Sequence, residues 1–204
     1  MLDPKILRLV AITDDAEDQR TTLVDRVAAS VRGGATSVQV RLKTASSREV
    51  VEITRAIIAR VNVPVIVNDR ADIALAAGAA GVHVGEADLP VDAVRRFAPA
   101  GFIIGASLGS DAELVNAMNA DYVGIGPVFA SDSKNDAGVA IGVAGFEKLA
   151  ALVPHPAVAV GGITADRALQ ITVHGAAGVA VINAIFRSDD PESATRAIAA
   201  AIES

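Results

Sequence analysis

The sequence predicts an α/β fold, a single-domain (β/α)8 barrel, and three observations predict it. Short β-branched runs alternate with Ala-rich stretches of helical spacing. Gly and Pro punctuate the turns between them. Sharing 204 residues among eight strand–helix pairs leaves about 25 for each, close to the lower size limit of that barrel.

The runs follow in order. Leu7–Ile12, behind Pro4, leads into Thr13-Asp14-Asp15, which lacks the Gly-rich loop that an open dinucleotide-binding sheet carries after its first strand. Ala35–Val40 comes next, entered through Gly33-Gly34, and then Pro64–Val67 behind Val63. Gly81–Val84 follows Gly78, and Phe102–Ala106 follows Pro99. Asp121–Ile125 follows Asn119, Ala157–Val160 follows Pro154 and Pro156, and Gly178–Ile182 follows Gly175. Runs this short and this apolar suit strands buried on both faces, as a parallel sheet requires. The glycines, and Asn119 in their place, suit left-handed helix C-caps, while a proline is harmless at a strand's first position. Between the runs lie amphipathic segments. In Ser47–Arg60, Val50, Val51, Ile53, Ile57 and Ile58 form the apolar stripe. The segment at 69–78 is short. With no linker or low-complexity tract, residues 1–204 read as one domain.

Composition excludes several functions. At 51% hydrophobic and 21% charged residues, the chain is too apolar for disorder. No apolar run reaches the length of a membrane span. Cysteine is absent, which removes disulfides, thiolate metal sites and Cys nucleophiles. A net charge of −6 argues against a broad nucleic-acid surface. The start MLDPKILRLV lacks the apolar core of a secretion signal, which predicts a cytoplasmic protein. A homodimer is compatible with all of this.

In a barrel of this kind the active site lies at the C-terminal ends of the strands, and polar residues gather there. After Val38, period-two alternation sends Gln39, Arg41 and Lys43 toward the barrel axis or its mouth. Two cations aimed into one cavity call for an anion or carboxylates. The third strand ends in Asn68-Asp69-Arg70, and the fourth is followed by Gly85-Glu86-Ala87-Asp88. Asp69 and Asp88 can hold a hard divalent cation such as Mg²⁺, which uses one or two carboxylates plus substrate phosphate oxygens. Each can instead cap the helix that follows it. Ser107 ends the fifth strand, where its hydroxyl can bond a ligand or the backbone.

The stretch 126–143 after the sixth strand is the longest irregular segment, and Ser131, Ser133 and Lys134 in it offer donors to phosphate oxygens. It reads as a functional loop able to close over substrate, or as a solvated linker. The seventh strand ends in Gly161-Gly162-Ile163 and the eighth in Ile182-Asn183, the usual phosphate cup of this barrel. His83 lies inside the fourth strand and reads as a hydrogen-bonded core or lining residue, whereas His155 and His174 fall at the opposite face. A diphosphate carries roughly three negative charges. Mg²⁺ with Asp69, Asp88, Arg41, Lys43 and Lys134 brings such a site close to neutrality, as partial desolvation requires. One phosphate and one diphosphate substrate would then meet in one mouth, with diphosphate as the leaving group.

These residues resemble the thiamine phosphate synthases. The resemblance is carried by Val10–Asp14, by Gln39-Val40-Arg41-Leu42-Lys43, and by Asn68-Asp69-Arg70 with Asp72. It continues through Gly81–Gly85 leading to Asp88-Leu89-Pro90, then Asp121–Phe129 with Lys134 and Asp136-Ala137. It ends with Gly161-Gly162-Ile163 and Gly178–Ile185. The resemblance implies that Gln39, Arg41, Lys43, Asn68, Ser131, Ser133 and Lys134 contact an aminopyrimidine diphosphate, with Ser107 beside the pyrimidine. It implies Mg²⁺ on Asp69 and Asp88, and a thiazole phosphate on Gly162, Ile182 and Asn183. Arg41, Lys43, Ser107 and Lys134 would carry the catalysis.

Some positions depart from the family pattern. Glu86 stands for a usual Gln, Ser131 and Ser133 for threonines, Val10 for a common aromatic, Asn183 for a common serine, and Gly109 for a frequent histidine. The related thiazole tautomerases resemble the chain too, but need that histidine and often lack the acidic residue matching Asp88. The synthase is therefore the better match. A Schiff-base aldolase using Lys43 or Lys134, and a non-catalytic thiamine-pathway binding protein, are the remaining readings.

Overall fold

The computed structural model describes residues 2–130 and 139–203. Eight parallel strands close into a barrel in sequence order: β1 (Leu9–Ile12), β2 (Ser37–Val40), β3 (Val65–Asn68), β4 (Gly81–Val84), β5 (Ile103–Leu108), β6 (Tyr122–Ile125), β7 (Ala157–Val160) and β8 (Gly178–Val181). Closure is completed by β1 pairing with β8, Leu9 opposite Val179. The runs read from the sequence coincide with these strands to within a few residues. A 3-10 turn over Pro4–Leu7 takes the start of the first run, and β5 continues to Leu108.

The helices are α1 (Leu23–Arg32), α2 (Ser47–Arg60), α3 (Ala71–Ala77), α4 (Val91–Phe97), α5 (Leu114–Ala117), α6 (Gly142–Ala150), α7 (Ala165–Thr172), α8 (Asn183–Phe186) and α9 (Pro191–Glu203). Two of them follow β8. The four-residue α8 lies at the mouth, and α9 packs between α7 and α1 to close the outer ring. None of the described helices is long and apolar enough to cross a membrane.

Period-two alternation divides the core in two. One cluster fills the space between strands and helices, with Val38, Val40, Val82, Val84, Ile104 and Val179 facing Val27, Ile57, Phe146 and Ile171. The other is the barrel lumen, where Val10, Ile12, Ile66, Tyr122, Val158 and Ala180 meet. With few large rings available, aliphatic side chains and glycines fit the narrow lumen.

The turn chemistry holds with one exception. Gly34, Gly78 and Gly175 have φ of 111°, 76° and 88°. Asn119 does not adopt the left-handed conformation expected of it: among the described residues Asp69 is the only non-glycine with positive φ. The chain enters β6 instead through Ala120 N–H donating to Ala117 O and Asp121 N–H to Ile104 O, which leaves Asn119 no left-handed turn to make.

Candidate active site

A cavity of about 750 Å³ opens at the C-terminal ends of the strands. Gln39, Arg41, Lys43, Asn68, Asp69, Asp88 and Ser107 line it, as do Gly162, Ile182 and Asn183. Ser131, Ser133 and Lys134 lie outside the described residues.

The β2 side is built from the end of β1. Thr13 is fully buried; its N–H donates to Gln39 O at 2.9 Å, and its hydroxyl accepts from Arg41 N–H at 2.8 Å and donates to Arg41 O at 3.1 Å. This clasp explains the Thr in the Val10–Asp14 segment. It fixes the backbone from which the buried side chains of Gln39 and Arg41 enter the lumen. Lys43 follows on the exposed rim. The loop behind it is pinned by Asp15, which accepts from Thr44 N–H at 2.7 Å and from Arg20 at 2.8 Å. Arg20 in turn reaches Glu49 at 3.3 Å.

Asp69 and Asp88 lie close enough for their charges to act on each other. Burial first, and then Asp88, push the Asp69 carboxyl up to about 6, although Lys43 and Arg41 pull the other way. Neither carboxylate caps the helix after it. The N-caps of α3 and α4 are Arg70 and Pro90, without side-chain caps, and Asp88 Oδ2 instead accepts from Gly85 N–H at 2.7 Å. Asp69 also holds a φ of 65°, anchored by its N–H donating to His83 O at 2.7 Å. A strained backbone that aims a carboxylate into a cavity marks a functional position. Among the described residues no group of three or more His, Cys, Asp or Glu comes together. Two carboxylates under mutual repulsion fit a hard cation that takes its remaining oxygens from phosphate and water.

Diametrically across the barrel, the β7 and β8 ends form the cup. Gly162 has φ 63°, and a Cβ there would fall 2.6 Å from Ala130 O and 2.8 Å from Phe129 Cβ. The segment after β6 therefore rests directly on the cup, with Phe129 N–H donating to Gly161 O at 3.1 Å. Arg167, on α7, joins the two: it donates to Gly162 O at 2.7 Å and its guanidinium lies 4.9 Å from the Phe129 ring centroid. The short α8 sits beside them, and Asn183 Oδ1 is buried without a partner among the described residues.

Sequence reasoning missed Arg167, Tyr122 and Glu113 in the cavity lining. A signal for Arg167 existed in its spacing, five residues after Gly162 on the helix that follows. Glu113 lay legible in a capping box, its carboxylate accepting from Gly109 and Ser110 N–H. No histidine or other base stands at Gly109. His83 is a lining residue, consistent with its reading. His155 and His174 bond the Met118 and Gln170 carbonyls.

Fold and cavity together define the class: a (β/α)8 barrel with its polar cavity at the C-terminal face, where the enzymes of this architecture work. A sequence model of thiamine monophosphate synthase matches residues 9–185. The chain is 42% identical over 195 residues to a thiamine-phosphate synthase of Methanoculleus marisnigri, covering 93% of this chain and 92% of the relative. A thiamine-phosphate synthase of Clostridium novyi is 38% identical over 197 residues, covering 94% and 97%. A solved thiamine phosphate pyrophosphorylase from Pyrococcus furiosus superposes with a TM-score of 0.87 at 36% identity, covering 98% of this chain and 97% of that one. The chain belongs to the thiamine monophosphate synthase family, whose members are transferases.

Proposed function

We propose that this chain is a Mg²⁺-dependent, cytoplasmic thiamine phosphate synthase, which joins hydroxymethylpyrimidine diphosphate to thiazole phosphate and releases diphosphate. One observation carries the reading: Arg41, Lys43 and the Asp69–Asp88 pair face the same cavity as the Gly162 cup across the barrel. Such an arrangement suits two phosphorylated substrates meeting in one mouth.

Asp69 and Asp88 would hold the metal, and their mutual repulsion is what a divalent cation relieves. When bound, Mg²⁺ neutralises charge on the leaving diphosphate. Arg41 and Lys43 set fixed positive charge against the same group, and Asn68 and Gln39 orient it and its pyrimidine. Ser131, Ser133 and Lys134 complete the diphosphate's donors in this reading. Gly162, Ile182 and Asn183 hold the thiazole phosphate.

The bond between the pyrimidine methylene carbon and the diphosphate oxygen breaks, and its electron pair leaves with diphosphate. The thiazole nitrogen lone pair then forms the new C–N bond to the resulting cation. No protein nucleophile is needed, so the chain's residues contribute orientation and charge stabilisation. The test is diphosphate release by purified protein given both substrates and Mg²⁺, with Lys43→Ala as control. Release well above the control supports the reading, and release no higher than the control overturns it.

A further inference from the structure

On the side of the barrel away from Asp69 and Asp88, the cavity wall is built almost entirely of uncharged groups. From β6 round to β8, Arg167 is the one charged side chain that lines it among the described residues. Its neighbours in that wall include Gly162, Thr164, Ile182 and Asn183. No carboxylate there offsets the guanidinium. Arg167 is half-buried, and a partly desolvated cation without a counter-charge calls for an anion from solution.

The guanidinium is held at the cup by one edge and one face. Nη1 donates to Gly162 O at 2.7 Å, and Cζ lies 4.9 Å from the Phe129 ring centroid. Gly162 O is its one hydrogen-bond partner among the described residues, which leaves Nε and Nη2 with N–H groups to give. Backbone donors stand beside it. The N–H groups of Gly162 and Asn183 reach no acceptor among the described residues, and both residues line the cavity. Unpaired N–H groups from two loops, together with a planar guanidinium, match the several oxygens of a phosphate group.

We propose that Arg167 is a substrate-binding residue, the cation that meets the phosphate monoester seated at Gly162 and Asn183. The backbone N–H groups supply direction to the cup, and Arg167 supplies its charge. Its hold on Gly162 O and on the Phe129 ring keeps the guanidinium from swinging away to solvent when the cup is empty. That the monoester is thiazole phosphate rests on the synthase reading; that the cup takes a phosphate through Arg167 does not.

Inorganic phosphate is the probe, titrated into the substrate-free protein while nitrogen-15 NMR follows the Gly162 amide, a signal identified by its loss in Gly162→Ala. Arg167→Gln separates charge from support, because its amide can still donate to Gly162 O but carries no charge. The expected result is a saturable shift in the parent, with Kd about 10-fold higher in Arg167→Gln and intermediate in Arg167→Lys, as loss of a charge-assisted hydrogen bond requires. In steady-state kinetics Arg167→Gln should raise KM for thiazole phosphate by a similar factor and leave KM for the aminopyrimidine diphosphate unchanged. A Gly162 amide that phosphate does not move, or an Arg167→Gln variant that titrates as the parent does, overturns the proposal. The titration needs no turnover, so its failure is distinguishable from an absence of diphosphate release.

Discussion

Replacing Asp69 by Asn tests the carboxylate pair directly. The amide keeps the size of the side chain, offers Asp88 an N–H donor, and tolerates the left-handed φ of 65° at this position. The rise of the Asp69 carboxyl from 3.8 to about 6 corresponds to about 3 kcal/mol against its ionised form near neutral pH. That figure is already net of the attraction to Lys43 and Arg41. The carboxyl is only half-buried, so solvent screening reduces the stability effect to about 1 kcal/mol. At pH 7.5 the metal-free variant should melt about 2–4 °C above the parent. Mg²⁺ should act in the opposite sense: at a hundred times its Kd it stabilises the parent by about 2.7 kcal/mol, and most of that gain should vanish in Asp69→Asn. Thermal melts in chelator and in a Mg²⁺ series measure both effects. A variant that melts lower than the parent without metal, or that keeps the full Mg²⁺ gain, would refute the repulsion argument.

Gly162→Ala forces a side chain at φ 63° into Ala130 O and Phe129, at roughly 1–3 kcal/mol of strain; KM for thiazole phosphate should rise at least 10-fold while Mg²⁺ binding stays intact. Arg167→Ala removes both the 2.7 Å bond to Gly162 O and the contact with the Phe129 ring. Steady-state kinetics should show a rise of about 5–30-fold in the same KM, from roughly 1–2 kcal/mol, with Arg167→Lys intermediate. Phe146→Ala, in the outer core at 0% exposure, should cost about 3–5 kcal/mol; its melting temperature should fall by roughly 10 °C, far more than in either cup variant.

What could be read from the chain in advance was whatever depends on neighbours in sequence. Parallel strands buried on both faces need continuous β-branched runs, and the helices between them need a 3.6-residue stripe, so count, order and type of elements were legible. Period-two alternation likewise sent Gln39 and Arg41 inward while Val38 and Val40 face the helices, because successive side chains of a strand leave on opposite faces. The strand ends named the cavity's residues for the same reason. Asn119 went the other way: its propensity for a left-handed turn lost to backbone bonds made with residues of neighbouring elements.

Tertiary structure alone decided which side chains meet. Asp69 and Asp88 are 19 positions apart, and either was a plausible helix cap until the barrel turned both into the mouth. The contacts of His83 with Tyr122 and Ser107 depend on the register of three strands, with Gly105 and Gly124 leaving space that no local pattern signals. Arg167 matters because the segment after β6 folds back onto Gly162 and brings Phe129 beneath its guanidinium. Local preference selects conformations from short-range sterics and hydrogen bonding. Closing eight strands in a ring adds constraints among residues far apart in the chain, and the charge repulsion of the site arises only from those.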